Sequence, residues 1–329
     1  MAFMLSVPEP LVRQHRVSMN FRQLAYGILS VIPGIPESLY KGTGGTDSAE
    51  YCYCIWLRHL VLANSLGMDS FPRAVGELGP GDSIGVGMAA LLSGAQRYVA
   101  LDATEHADPV GSLPIFDALV ELFRARTPIP GREAFPEIAL DLPDNSFPVA
   151  LLPEAQLQAA LSDERVGWLR RIFSGERPEP ETVDYRAPWG VVQRKDAGSI
   201  DFLLSNAVME HVADLPDAYA SMARWLRPGG FASHQIDFRS HGLFRAWDGH
   251  WACPDWLWQL FIGRRPYLLN REPFATHRKL AGAAGLDERA AIRLNRPAET
   301  TRLAKRFRTI TAEDRTTCGG YLLLQKPLA

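Results

Sequence analysis

Val75-Gly-Glu-Leu-Gly-Pro-Gly-Asp-Ser-Ile-Gly85 decides the fold of this chain. Ala74–Leu78 reads as a short buried strand, and Gly79-Pro80-Gly81 closes it as a tight turn. Ile84–Ser93 is small and apolar, the composition of a helix packed closely on a sheet. Gly94 ends that helix, and Arg97–Asp102 reads as a second strand. Residues 73–102 thus form one β-loop-α-β unit of about 30 residues, the size of a parallel crossover. Glycines let the backbone approach a ligand closely, and a helix N-terminus offers N–H groups to it. Asp102 closes the second strand, where an acidic side chain can hold both hydroxyls of a ribose. A nucleoside-containing ligand is the expectation, with a purely structural βα turn and an exposed Asp102 as its alternative.

The details of the turn narrow that ligand. A dinucleotide fingerprint has Gly-x-Gly-x-x-Gly, whereas here Gly79, Gly81 and Gly85 place the third glycine one residue late. Pro80 removes a backbone donor. Glu77 and Asp82 flank the turn and favour an ammonium or sulfonium over a pyrophosphate. No Gly-Lys-Ser/Thr follows, which argues against a P-loop NTPase. Lys41-Gly-Thr-Gly-Gly45 follows no strand and reads as a flexible turn.

Outward from this unit the alternation continues. Helices are expected at about 20–32, from the Asp47-x-x-Glu50 capping box to about Leu66, and at about 112–126, 154–174, 215–226 and 274–284. Strands are expected at 182–185, 199–204, 231–238, 288–294 and 320–326. Residues 104–180 carry ten prolines and read as an insertion. The pattern predicts a doubly wound, mostly parallel α/β sheet. Residues 1–70 are expected to form a helical segment or lid. Residues 71–329 are expected to form the sheet domain, with 104–180 and 239–272 as insertions.

The composition sets outer bounds. The 329 residues are 47% hydrophobic and 22% charged, which excludes a largely disordered chain. The net charge of −2 gives no bulk electrostatic case for nucleic acid or anionic membrane. The longest uncharged stretches, Leu24–Pro36 and Ile84–Gln96, fall short of the about 20 residues that span a bilayer, and no signal peptide is read at Met1–Glu9. Cys52, Cys54, Cys253 and Cys318 lack zinc spacing and are expected to be reduced thiols of a cytoplasmic protein.

Four segments in order resemble the class I S-adenosylmethionine-dependent methyltransferases. Glu77-Leu-Gly-Pro-Gly-Asp-Ser83 is similar to their first motif, and Asp102 to their ribose-binding acid. Ser199-Ile-Asp-Phe-Leu-Leu-Ser-Asn-Ala-Val-Met-Glu-His-Val212 resembles their fourth strand and the turn after it. Leu226-Arg-Pro-Gly-Gly-Phe231 resembles the turn before their fifth strand. Gly44–Tyr53, Trp56–His59, Ser233–Phe238 and Gly249–Trp251 are similar to bacterial methyltransferase-like proteins of polysaccharide and secondary-metabolite type. The resemblance implies a seven-stranded Rossmann-like sheet with an antiparallel edge strand, and S-adenosylmethionine as cofactor. It also implies a cofactor site of Glu77, Gly79, Gly81, Ser83, Asp102, Ala103, Tyr185, Asn206 and Ala207. The chain departs from the family in its long 104–180 insertion and in Asp184-Tyr185-Arg186, where the third-strand acid is not clean.

Methyl transfer needs a nucleophile held in line with the methyl group, and a hydroxyl nucleophile needs a base. Candidates follow the strands whose carboxyl ends form the crevice. Asn206, Glu210 and His211 follow the fourth strand; Asp237, His241 and His250 follow the fifth. His211 is the first candidate base, with a structural Glu-His pair as its alternative. His241 or His234, oriented by Asp237, comes second. His234, Asp237 and His241 also form a possible metal set, but strand alternation puts His234 and Asp237 on opposite faces, so no metal is expected. Residues 238–272 hold four of the eight Trp. Trp247, Trp251 and Trp258, with His234 and His250, are candidate acceptor contacts, while Trp256 and Phe261 are expected in the core. Arg58 and His59 could reach a carboxylate of the cofactor or lie on a solvated helix face. The expected activity is biosynthetic methylation of a small-molecule hydroxyl. The alternatives are a nucleotide-dependent oxidoreductase, or a degenerate methyltransferase fold acting as a scaffold. The acceptor and the oligomeric state are not legible.

Overall fold

A computed structural model describes residues 18–34, 46–104, 107–136, 140–177, 179, 181–189, 197–265 and 268–328. Lys41–Gly45 and Tyr267 lie outside them. The chain divides into two compact units. One comprises 41–238, 267–295 and 317–329. The other comprises 1–40, 239–266 and 296–316. The division differs from the expected one at 70/71: α2 (Ala49–Ser65) belongs to the sheet unit, and α1 (Phe21–Ser30) to the other.

The sheet unit contains β1 (Ala74–Leu78), α3 (Gly85–Leu92), β2 (Arg97–Leu101), α4 (Leu113–Arg124), α5 (Glu154–Ala160) and α6 (Asp163–Phe173). β3 (Val183–Arg186), β4 (Ile200–Asn206), α7 (Leu215–Trp225) and β5 (Leu226–Asp237) follow. Then come α10 (Phe274–Ala283), β6 (Asp287–Asn295) and β7 (Thr317–Gln325). The strands form one seven-stranded sheet in the order β3-β2-β1-β4-β5-β7-β6. β1 to β5 pair in parallel, while β7 runs antiparallel between β5 and β6. The terminal strand therefore sits one place in from the edge, and β6 is the edge strand. The expected doubly wound α/β sheet is present.

Local chemistry explains each element near the site. The cap of α2 is Ser48, one residue after the expected Asp47: its side chain accepts from the Tyr51 N–H at 3.3 Å. α3 has no large residue on the side facing β2, because a Cβ on Gly87 would lie 2.2 Å from the Tyr98 ring. A Cβ on Gly85, the displaced third glycine, would lie 2.5 Å from Cys52 Sγ. Both glycines set close packing of α3 on β2 and α2. The expected helix over 154–174 is two helices, α5 and α6, with Ser162 capping the second through the Arg165 N–H. Trp56, Phe202, Tyr98, Phe116 and Phe173 are fully buried in the core.

The second unit packs α1 against α9 (Asp255–Ile262). Gly27 lies on the helix backbone, where a Cβ would meet the Leu260 carbonyl oxygen at 2.1 Å. Trp247 and Trp251 pack edge to face at 5.9 Å, and Phe244 stacks on Trp258 at 6.5 Å. Asp248 accepts from the Thr300 N–H and hydroxyl and closes the 296–316 segment on α8 (Gly249–Ala252). No helix among the described residues is long and apolar enough to cross a membrane.

Candidate functional site

β1, β2 and β4 are parallel neighbours, so their carboxyl ends meet on one edge of the sheet. After β1 the chain turns through Gly79 (φ +64°) and Gly81 (φ +79°), both left-handed. The Gly79 N–H donates to the Leu101 carbonyl at 2.8 Å. A Cβ on Gly79 would lie 2.7 Å from the Val208 side chain, so the turn after β4 packs directly on the turn after β1. Both glycines are required by backbone conformation.

Asp102 follows β2 and is 7% exposed; its Oδ1 accepts from the Ala103 N–H at 2.7 Å. On β3, the half-buried Tyr185 hydroxyl accepts from the Ala107 N–H at 3.2 Å. Asp184, the unclean acid, pairs with Arg186 within the strand. Asn206 closes β4, and its Nδ2 donates to the Tyr51 hydroxyl on α2 at 2.9 Å. Ala207 is exposed with φ +53°.

Two expected cofactor contacts have internal partners. Ser83 is 3% exposed; its hydroxyl donates to the Thr46 carbonyl and accepts from the Gly85 N–H at 3.1 Å. Thr46 in turn accepts from the Ser83 N–H at 3.0 Å and donates to the Pro80 carbonyl at 2.8 Å. Ser83 and Thr46 therefore lace the segment before α2 to the glycine turn. Glu77 is 4% exposed and accepts from the Tyr98 hydroxyl at 2.5 Å. Burial pushes its pKa up to about 8, Tyr98 opposes that rise, and the Asp102 charge adds to it. Burial and the Glu77 charge also raise the Cys52 thiol to about 12.

His211 ends a short 3-10 helix, Met209–His211, and is half-buried. Glu210 anchors this turn: it is 3% exposed, and its Oε1 accepts from the Asp237 N–H at 3.2 Å. Asn270 reinforces it, its Nδ2 donating to the Met209 carbonyl at 2.8 Å and the Val212 carbonyl at 2.9 Å. Nothing in the sequence marked Asn270, because its partners are far away in the chain.

The other candidate side chains have the following surroundings. His234 is fully buried, with Nδ1 2.8 Å from Ser205 Oγ, and its ring meets Tyr219 edge to face. Burial first, then the His59 and His277 rings, lowers its pKa to about 3. It is a core residue, not an acceptor contact. His59 is buried in the same way, with Nδ1 2.7 Å from Ser233 Oγ, and burial followed by the Arg58 charge lowers it to about 3. His241, with φ +47°, is exposed in the second unit. Trp247, Trp251, Trp258 and His250 are each at most 5% exposed in that unit's core, whereas Trp256 is 68% exposed. Trp256 is therefore outside the core where it was expected, and Phe261 is buried as expected.

Residues 191–233, spanning β4, α7 and the start of β5, match the family model described as "Methyltransferase domain". The strand order and the antiparallel β7 agree with the seven-stranded Rossmann-like sheet expected from the sequence. Similar solved structures include phosphoethanolamine N-methyltransferase 2 of Haemonchus contortus, in complex with S-adenosyl-L-methionine. That structure is 12% identical, with 83% of this chain and 53% of that chain covered at a TM-score of 0.40. The chain thus spans about half the length of that protein. Geranyl diphosphate C-methyltransferase of Streptomyces coelicolor is 13% identical, over 82% and 75% of the two chains, at 0.40. An S-adenosylmethionine-dependent methyltransferase of Mesorhizobium loti is 12% identical, over 80% and 96%, at 0.39. A search of curated proteins gives no match.

Proposed function

We propose that the chain transfers a methyl group from S-adenosylmethionine to a hydroxyl of a small molecule, with His211 as general base. One observation carries the reading. A left-handed Gly79–Gly81 turn, packed on the turn after β4, stands beside a carboxylate at the end of the neighbouring strand. The residues fit the cofactor. The turn brings bare backbone to the crevice, Asp102 offers a carboxylate to the ribose, and Ala103 and Tyr185 stand at the adjoining strand ends. Asn206 and Ala207 border the opposite side.

When bound, the cofactor supplies a methyl group already activated by a sulfonium. The chain's own residues orient and deprotonate. Glu210 and Asn270 hold the segment that carries His211. His211 accepts the proton of the acceptor hydroxyl at its ring. His234 is set apart from that role by full burial. Glu77, held by Tyr98 beneath the turn, stabilises positive charge above it once ionised.

The test is release of S-adenosylhomocysteine from radiolabelled S-adenosylmethionine across a panel of hydroxylated sugars and phenols. The reading expects at least one acceptor to be labelled, and His211→Ala to lower turnover about 100-fold or more with cofactor affinity retained. Cofactor binding without any labelled acceptor, or His211→Ala at wild-type rate, contradicts it.

A further inference from the structure

The small charge of the whole chain hides a division. The unit of 1–40, 239–266 and 296–316 holds 13 Arg and Lys against 7 Asp and Glu, a net charge of +6, and the sheet unit is left with −8. The positive unit also turns apolar side chains outward. Phe21, Ala25, Ile28 and Leu29 share one face of α1 at helical spacing, and all are exposed, Phe21 by 73%. On α9, Trp256 and Leu260 stand one turn apart and are both exposed. The opposite faces pack the pair together: Gly27 lies on the Leu260 and Phe261 carbonyls, and Trp258 and Phe261 are buried. Exposed arginines flank the α1 face at both ends. The Arg245 N–H donates to the Ser18 carbonyl at 2.8 Å, beside the start of the helix. The Arg264 N–H donates to Ser30 Oγ at 2.8 Å, at its end, and Arg22 lies in the first turn. Among the described residues none of these three arginines enters an ion pair.

A contiguous set of exposed apolar side chains on a folded unit marks a docking surface. We infer that α1 and α9 dock this unit on an anionic lipid bilayer, lying in the plane of its headgroups. α1 has 10 residues, about 15 Å of helix against a hydrocarbon core of about 30 Å, so it lies along the surface and does not cross it. Phe21, Ile28 and Trp256 suit the boundary between headgroups and acyl chains, and Arg245 and Arg264 suit the headgroup phosphates. The net +6 adds attraction to a negatively charged surface. Charge also decides between occupants. The apolar face alone would serve a second copy of this chain equally well, but two units of +6 repel each other. The surface belongs to the second unit and stands independently of the methyl-transfer reading.

Co-sedimentation of the full chain with vesicles of phosphatidylcholine containing about 30% phosphatidylserine, beside vesicles of phosphatidylcholine alone, tests the surface. The wild type is expected to sediment with the anionic vesicles, to bind the neutral ones about ten-fold more weakly or less, and to lose affinity as ionic strength rises. Phe21→Ala and Trp256→Ala change exposed side chains. Each is expected to keep the thermal midpoint and to weaken binding about ten-fold. Arg22→Gln combined with Arg264→Gln is expected to weaken it about 25-fold, at about five-fold for each arginine near the surface. This second variant leaves the apolar face intact and reads the charge separately. No binding to the anionic vesicles, equal binding to the neutral ones, or unchanged binding in Phe21→Ala overturns the inference. A dimer formed without lipid and dissociated by Phe21→Ala also overturns it, because a second copy would then be the occupant.

Discussion

Glu77→Gln is expected to stabilise the folded chain at alkaline pH. Glu77 is buried beneath the glycine turn with the Tyr98 hydroxyl on one oxygen, and burial raises its pKa from 4.5 to about 8. The groups facing it are Tyr98 on β2, Asp102 beyond β2 and Cys52 on α2; none is a cation. Below about pH 4.5 the carboxyl is protonated in both folded and unfolded chains. Between about 4.5 and 8 the unfolded chain has lost the proton and the folded chain keeps it, so stability falls as pH rises. Above about 8 both are ionised and the loss is complete. A gap of three to four pH units at about 1.36 kcal/mol each gives a loss on the order of 5 kcal/mol. Glutamine keeps the shape and accepts the Tyr98 hydrogen bond without the charge. Urea unfolding of both proteins at about pH 5, 6.5 and 8 reads the difference. The wild type is expected to lose several kcal/mol relative to Glu77→Gln over that range. Parallel pH curves would refute the burial argument.

Three further substitutions separate turn, anchor and core. Gly79→Ala places a Cβ at φ +64° and 2.7 Å from Val208. It is expected to cost about 1–3 kcal/mol in thermal or urea unfolding and to abolish cofactor binding in calorimetry. Asn270→Ala leaves the Met209 and Val212 carbonyls without their side-chain donor. It is expected to cost about 1–3 kcal/mol and to lower turnover more than cofactor affinity. Trp251→Ala, at 1% exposure, is expected to cost about 3–5 kcal/mol, whereas Trp256→Ala, at 68%, should stay within about 0.5 kcal/mol.

The fold was legible because its signals are local. The glycine turn, the small residues of α3 and the Pro-Gly-Gly segment each report backbone geometry within a few residues. Contacts distant in the chain were not legible. Ser83 reads equally as a ligand contact or as a cap, and its role as a lace to Thr46 depends on a partner 37 residues away. Aromatic density in 238–272 signals burial as strongly as ligand contact, so composition could not separate Trp256 from Trp247, Trp251 and Trp258. His59 and Arg58 are adjacent on α2, and periodicity assigns each a face. Only the packed structure shows Ser233 against His59 and both side chains buried. The unit boundary was missed because α1 packs with residues more than 200 positions away.

Calorimetric titration of the folded chain with S-adenosylhomocysteine, beside Asp102→Ala, tests the central claim most directly. Asp102 closes β2 next to the left-handed turn, and its loss leaves the sheet core untouched. The account expects one-to-one binding by the wild type and a loss of ten-fold or more in Asp102→Ala, about 1.4 kcal/mol or more, with thermal stability nearly unchanged. No binding by the wild type, or equal binding by the two proteins, would contradict it.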